Sequence, residues 1–190
     1  MEFTSTFSKL KNSTLVLSIV LFCNVPNINA QETIDSNLVK SVLKQSQKKE
    51  KRLNRLLNIG ELTHPIQVTY QVDEYQIEEY LNRKIQRDPS SANYINQLIL
   101  AEKRYQVLMA KYYNILSEKL NETDQEILDV AQARWQGYKH YEQAVNKMLN
   151  PEAYQMKAMP MEKLAERHLD ITKFRVMELA DYITRMSERK

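Results

Sequence analysis

Cysteine is nearly absent from this chain. The single one, Cys23, lies near the N-terminus, so the chain has no intrachain disulfide and no thiolate metal site. Glycine occurs twice and proline five times. With abundant Leu, Lys, Glu, Gln, Tyr and Met around them, this is the composition long helices use. The three histidines, His64, His140 and His168, are scattered, with no pair at metal-ligand spacing beside a carboxylate. No glycine-framed nucleophile turn surrounds any serine. The residues therefore suggest no catalytic set, no metal and no cofactor.

Long apolar runs are also lacking. The longest, residues 14–25, is too short to span a bilayer comfortably, and Lys9 and Lys11 precede it. Asn27-Ile28-Asn29-Ala30 follows, with an aliphatic and a small residue where a signal peptidase reads, then polar Gln31-Glu32-Thr33. This pattern predicts a secretory signal over residues 1–30, cleavage near Ala30, and a periplasmic or secreted chain without a transmembrane segment. Lipidation at Cys23 is the alternative, disfavoured by bulky Phe22 just before it. Of the net charge of +3, one unit belongs to the first 30 residues, where Lys9 and Lys11 outweigh Glu2, leaving +2 from Gln31 onward. A basic run (Lys40, Lys44, Lys48, Lys49, Lys51, Arg52, Arg55) is opposed only by Glu50. For an exported chain it reads as a solvated helix face rather than a nucleic-acid site.

Periodicity predicts an all-α fold, a helical hairpin extended into a small antiparallel bundle. A helix is expected over 34–58, with Gly60 ending it. Ile66, Val68, Tyr70 and Val72 alternate with polar residues, which predicts an extended segment near 64–72 lying across the helices, the alternative being a free edge that pairs with a partner. Asp73 with Gln76 suggests a capped start for a short helix closed by Asp88-Pro89. A longer helix is expected over 91–120. Thr123-Asp124-Gln125-Glu126 reads as a capping box opening the next helix, which runs through Leu128, Ala131, Trp135, Tyr138, Val145 and Leu149 to Asn150-Pro151. Pro160 sits where a last helix should begin. The expected organisation is a signal over 1–30, a helical extension over 31–90 and a helical domain over 91–190.

Trp135, the only tryptophan, is expected to anchor the core with Leu128, Ile171 and Leu179. Gly137 is expected at a close approach of another helix. Arg175, near the inward stripe of the last helix, needs a partner, and Gln132 or a tyrosine hydroxyl fits, giving a clamp between two helices. Glu118, Glu122, Asp124, Glu126 and Asp129 gather around one helix turn. They are candidate contacts to a partner, or residues that simply favour a helix start.

Three stretches carry a family resemblance: Tyr113-x-x-Leu116-x-x-x-Leu120; Leu128-x-x-Ala131-Gln132-x-x-Trp135-x-x-Tyr138-Lys139; and Ile171-Thr172-x-x-Arg175-x-x-Glu178-Leu179. Over roughly 105–183 the chain resembles the LprI-like lysozyme-inhibitor domain family. That family usually has Arg at Lys139, an acid at His140, cysteines at Gln143 and Arg167, and Asp and Asn at Gln106 and Ala110. The resemblance implies a helical, non-enzymatic envelope protein that binds lysozyme. Its motif residues are Tyr113, Leu128, Gln132, Trp135, Tyr138, Lys139, Thr172 and Arg175. The alternative is an assembly module binding another envelope component through residues 31–90.

Overall fold

A computed structural model describes residues 35–149 and 158–188; the expected signal and the Asn150-Pro151 helix end lie outside them. Among the described residues there are five helices and no strand: α1 Ser36–Asn58, α2 Pro65–Arg87, α3 Ser91–Ser117, α4 Glu122–Leu149 and α5 Ala158–Glu188. The all-α expectation is met. By internal packing the chain divides into two units, one ending at Tyr80 and one beginning at Leu81.

The first unit is a hairpin of α1 and the N-terminal part of α2. Asp35 caps α1 by accepting from the Asn37 and Leu38 amides at 3.1 and 2.9 Å. Gly60, at φ +80°, supplies the left-handed residue after α1's end. Leu38 and Val42 pack on Tyr80, while Leu53 packs on Val68 and Val72, so the helices run antiparallel. Between these clusters lies a polar layer. Gln76 donates to buried Ser46 at 3.1 Å, Tyr75 donates to Gln45 at 3.0 Å, and Lys49 Nζ sits 4.8 Å from the Tyr75 ring centre. The all-polar middle of α1 therefore bridges to α2.

The extended segment near 64–72 is not there: those residues open α2. Pro65 is a good first helical residue. His64 Nδ1 accepts from the Ile66 amide at 3.1 Å, and the Gln67 side chain accepts from the Thr63 and His64 amides at 2.9 and 3.3 Å. This is a capping box with histidine in the cap position. The alternation at 66, 68 and 72 was a fragment of a helical stripe that continues through Ile77, Tyr80 and Leu81, all buried. Asp73 and Gln76 are buried inside the helix and do not start it.

The second unit is a three-helix bundle. Ser90 caps α3, its hydroxyl accepting from the Asn93 amide at 3.4 Å. Contacts from Ser91 to Glu162 and from Tyr94 to Glu166 run in the same direction along α3 and α5, so these two helices are parallel. Contacts from Met109 to Gln132 and from Gln132 to Arg175 set α4 antiparallel to both. Helices α3 and α5 form the main packed pair, burying Leu98, Tyr105, Leu108, Tyr112, Leu169, Val176, Leu179 and Ile183. In α4 the only buried residue is Leu128.

Four expectations for α4 and α5 are corrected. Thr123 is not the cap: Asn121 Oδ1 accepts from the Asp124 amide at 3.0 Å, and Asn121 Nδ2 donates to Asp124 Oδ2 at 2.7 Å. Asn is as good a cap as Thr, and starting two residues earlier lets Asp124 close the reciprocal bond. Trp135 is half-buried, and Ala131, Tyr138, Val145 and Leu149 are exposed, so the expected ridge is not core. A β-carbon at Gly137 would meet no atom within 4 Å, so no helix approaches there. Helix α5 begins two residues before Pro160, which a first turn tolerates because its N–H groups have no intrahelical acceptor.

Candidate functional site

Except for Tyr138, which is exposed on the outer side, the motif residues on α4 and α5 are brought together along the inner side of α4. Gln132, Trp135 and Lys139 recur at steps of three and four, so one helix face presents all three. Lys139 Nζ lies 2.7 Å from Glu102 Oε1 of α3 and 3.0 Å from Thr172 Oγ1 of α5. Both charged side chains are only 13 % exposed. The Thr172 hydroxyl, fully buried, donates to the His168 carbonyl at 3.1 Å. The ammonium also lies 5.7 Å from the Trp135 ring centre, so the half-buried indole shields the pair and adds a cation–π contact.

One turn further along α5, buried Arg175 donates from Nε to Gln132 Oε1 at 3.0 Å and from Nη1 to Glu178 at 3.2 Å. Gln132 in turn reaches Met109 Sδ at 3.5 Å. The partner expected for Arg175 is Gln132, and the pair clamps α4 to α5. His168, half-buried beside the lysine cluster, has its pKa lowered from 6.5: burial disfavours its charge and Lys139 repels it, with Glu102 opposing. Its Nε2 has no hydrogen-bond partner among the described residues.

At the α3–α4 corner Tyr113 donates to Asp129, and this bond raises the pKa of its hydroxyl. Gln125 Nε2 donates to the carbonyls of Ser117 and Leu120 at 2.8 and 3.2 Å, closing the end of α3. Glu118, Glu122, Asp124, Glu126 and Asp129 are all exposed. Asp124 and Asp129 are engaged locally, and Glu122 and Asp124 occupy the first turn of α4, where the helix dipole favours them. Glu118 is different. It is the C-cap of α3, at a negative helix end that disfavours an acid. Beside this corner, Met109, Ala110 and Tyr113 of α3 face Asp129, Gln132 and Gln136 of α4 across an open groove of about 330 Å³.

Glu102 is the residue sequence reasoning missed. The available signal was Lys139 itself: a lysine on the inward face of a helix requires an anion opposite it. Among the described residues no group of three or more His, Asp or Glu is placed to hold a metal ion. None of the described helices is long and apolar enough to cross a membrane. Comparison of the chain with family models, curated proteins and solved structures finds no match.

Proposed function

We propose that this chain is an exported, non-enzymatic binding protein of a bacterial envelope that acts stoichiometrically, its target a lysozyme or a related wall-degrading enzyme. The observation that carries this reading is the division of labour among the polar residues. Glu102, Gln132, Lys139, Thr172 and Arg175 are consumed in holding three helices together. The acids at the α3–α4 corner face solvent, and Glu118 stands where helix stability does not favour it. An exposed acidic corner suits a basic target, and an inhibitor needs only to obstruct a cleft, not to carry chemistry of its own.

With a net charge of only +2 from Gln31 onward, long-range steering toward a basic enzyme is weak or slightly repulsive. Affinity then depends on local contacts at residues 118–129 and should weaken with added salt. The test is residual lysozyme activity against increasing amounts of the chain from Gln31 onward, in low and physiological salt, repeated with Glu118→Lys. Inhibition that saturates at a fixed stoichiometry and weakens in the variant supports the proposal. No inhibition at several-fold excess of chain sinks it and leaves the assembly reading, for which the exposed basic residues Lys40, Lys44, Lys48, Lys51, Arg52 and Arg55 of α1 remain.

A further inference from the structure

The outer side of α4 carries a pattern that no packing among the described residues uses. Ile127, Ala131, Arg134, Tyr138, Tyr141, Val145 and Met148 follow one another at alternating steps of four and three. Steps of this kind place side chains on one narrow seam, the spacing by which a helix interlocks with a second helix. All seven are exposed; Ile127, Tyr138, Tyr141, Val145 and Met148 are between 43 % and 70 % so. Arg134 is the only charge among them. Scattered exposed apolar residues need no explanation, but a continuous stripe running nearly the whole length of a helix does.

We infer that this stripe is the interface of a homodimer in which α4 pairs antiparallel with α4 of a second copy. Charge chooses both the occupant and the direction. Residues 122–129 hold four acids (Glu122, Asp124, Glu126, Asp129) and no base, whereas over residues 130–149, with Lys139 turned inward onto Glu102, Arg134 and Lys147 stand against one acid, Glu142. Antiparallel pairing sets the acidic end of each helix against the basic end of the other. It also places Arg134 of one copy among Tyr138 and Tyr141 of the second, where a guanidinium can stack on an aromatic face. Parallel pairing instead stacks Arg134 on its own copy and acid on acid. A stripe over 127–148 is about 33 Å long, and two such stripes bury on the order of 1,200 Å², the lower edge of specific interfaces. An interface at that lower edge is expected to give a reversible, concentration-dependent dimer. The open surroundings of Gly137, near the middle of the stripe, leave room for the second helix.

The experiment is sedimentation equilibrium of the chain from Gln31 onward, which holds every described residue. A monomer–dimer equilibrium is expected. Tyr141→Glu and Met148→Glu, both at exposed positions and each checked for an intact fold by circular dichroism, should each weaken it at least about tenfold. Gln136→Glu, on the opposite side of α4, should not. From Gln31 onward the chain is free of cysteine, so orientation can be read by single cysteines. Tyr138→Cys, near the centre, should form a disulfide-linked dimer on mild oxidation. Ile127→Cys should not, because its two copies lie about 30 Å apart, far beyond disulfide reach. A dimer indifferent to Tyr141→Glu, or crosslinking through residue 127, overturns the assignment. So does a chain that stays monomeric at about 200 µM. In that case protection of Tyr141 from nitration would mean the chain's own remaining residues cover the stripe, and reaction would mean the stripe stands open in the monomer.

Discussion

Replacing Lys139 by Met tests whether the family-motif polar residues hold the bundle together. The ammonium lies 2.7 Å from Glu102 and 3.0 Å from Thr172. At an effective dielectric constant near 20 the Coulomb attraction at that distance is roughly 6 kcal/mol. Desolvating two side chains that are each 13 % exposed takes most of it back, so the intact pair contributes only about 1 kcal/mol net. The single substitution does more damage than that, because Glu102 stays behind with its charge and no cation, and Thr172 loses a donor. A loss of roughly 2 to 4 kcal/mol is expected. Glu102→Leu together with Lys139→Met removes both charges and should recover at least half of that loss. The assay is urea unfolding followed by the fluorescence of Trp135, the only tryptophan, whose ring lies 5.7 Å from the Lys139 ammonium. A Lys139→Met midpoint unchanged within error, or a coupling energy below about 0.5 kcal/mol, would mean the pair behaves as a solvated surface bridge, and the account of the motif would be wrong.

Three further outcomes follow from the geometry. Because burial holds the His168 pKa below 6.5, the unfolded chain takes up that proton first as the pH falls. The stability due to neutral His168 is therefore complete above pH 6.5 and is lost as the pH drops through the lower folded-state value, and His168→Gln should flatten that part of a urea-midpoint-against-pH curve. Asn121→Ala removes the cap of α4 and should cost about 1 kcal/mol, whereas Thr123→Ala should change the melting temperature little, the reverse of what a cap at Thr123 requires. Gly137→Ala, with open space around its new methyl group, should raise the melting temperature by a few degrees, and a fall would reveal a close contact at that position.

Signals that act between near neighbours were readable from the chain alone. Gly60 stops α1, Asp88-Pro89 stops α2 at Arg87, and the apolar period of α3 and α5 marks the faces that pack. Even the need of Arg175 for Gln132 was legible, since a guanidinium on an inward stripe must find an acceptor. The start of α2 was legible in principle too: Pro65 and Gln67 are helix-opening residues, but four alternating positions outweighed them because a short window fits both periods. Tertiary structure alone decided which side of α4 is covered. Leu128, Gln132, Trp135 and Lys139 form one stripe, and Ile127, Ala131, Tyr138 and Tyr141 form another about 100° away. Both have helical spacing, both carry aromatic residues, and nothing local ranks them. The choice was made by what stands opposite, Glu102 of α3 and Thr172 and Arg175 of α5, residues 30 or more positions away in sequence, whose charges and hydroxyls fit the first stripe and leave the second in solvent.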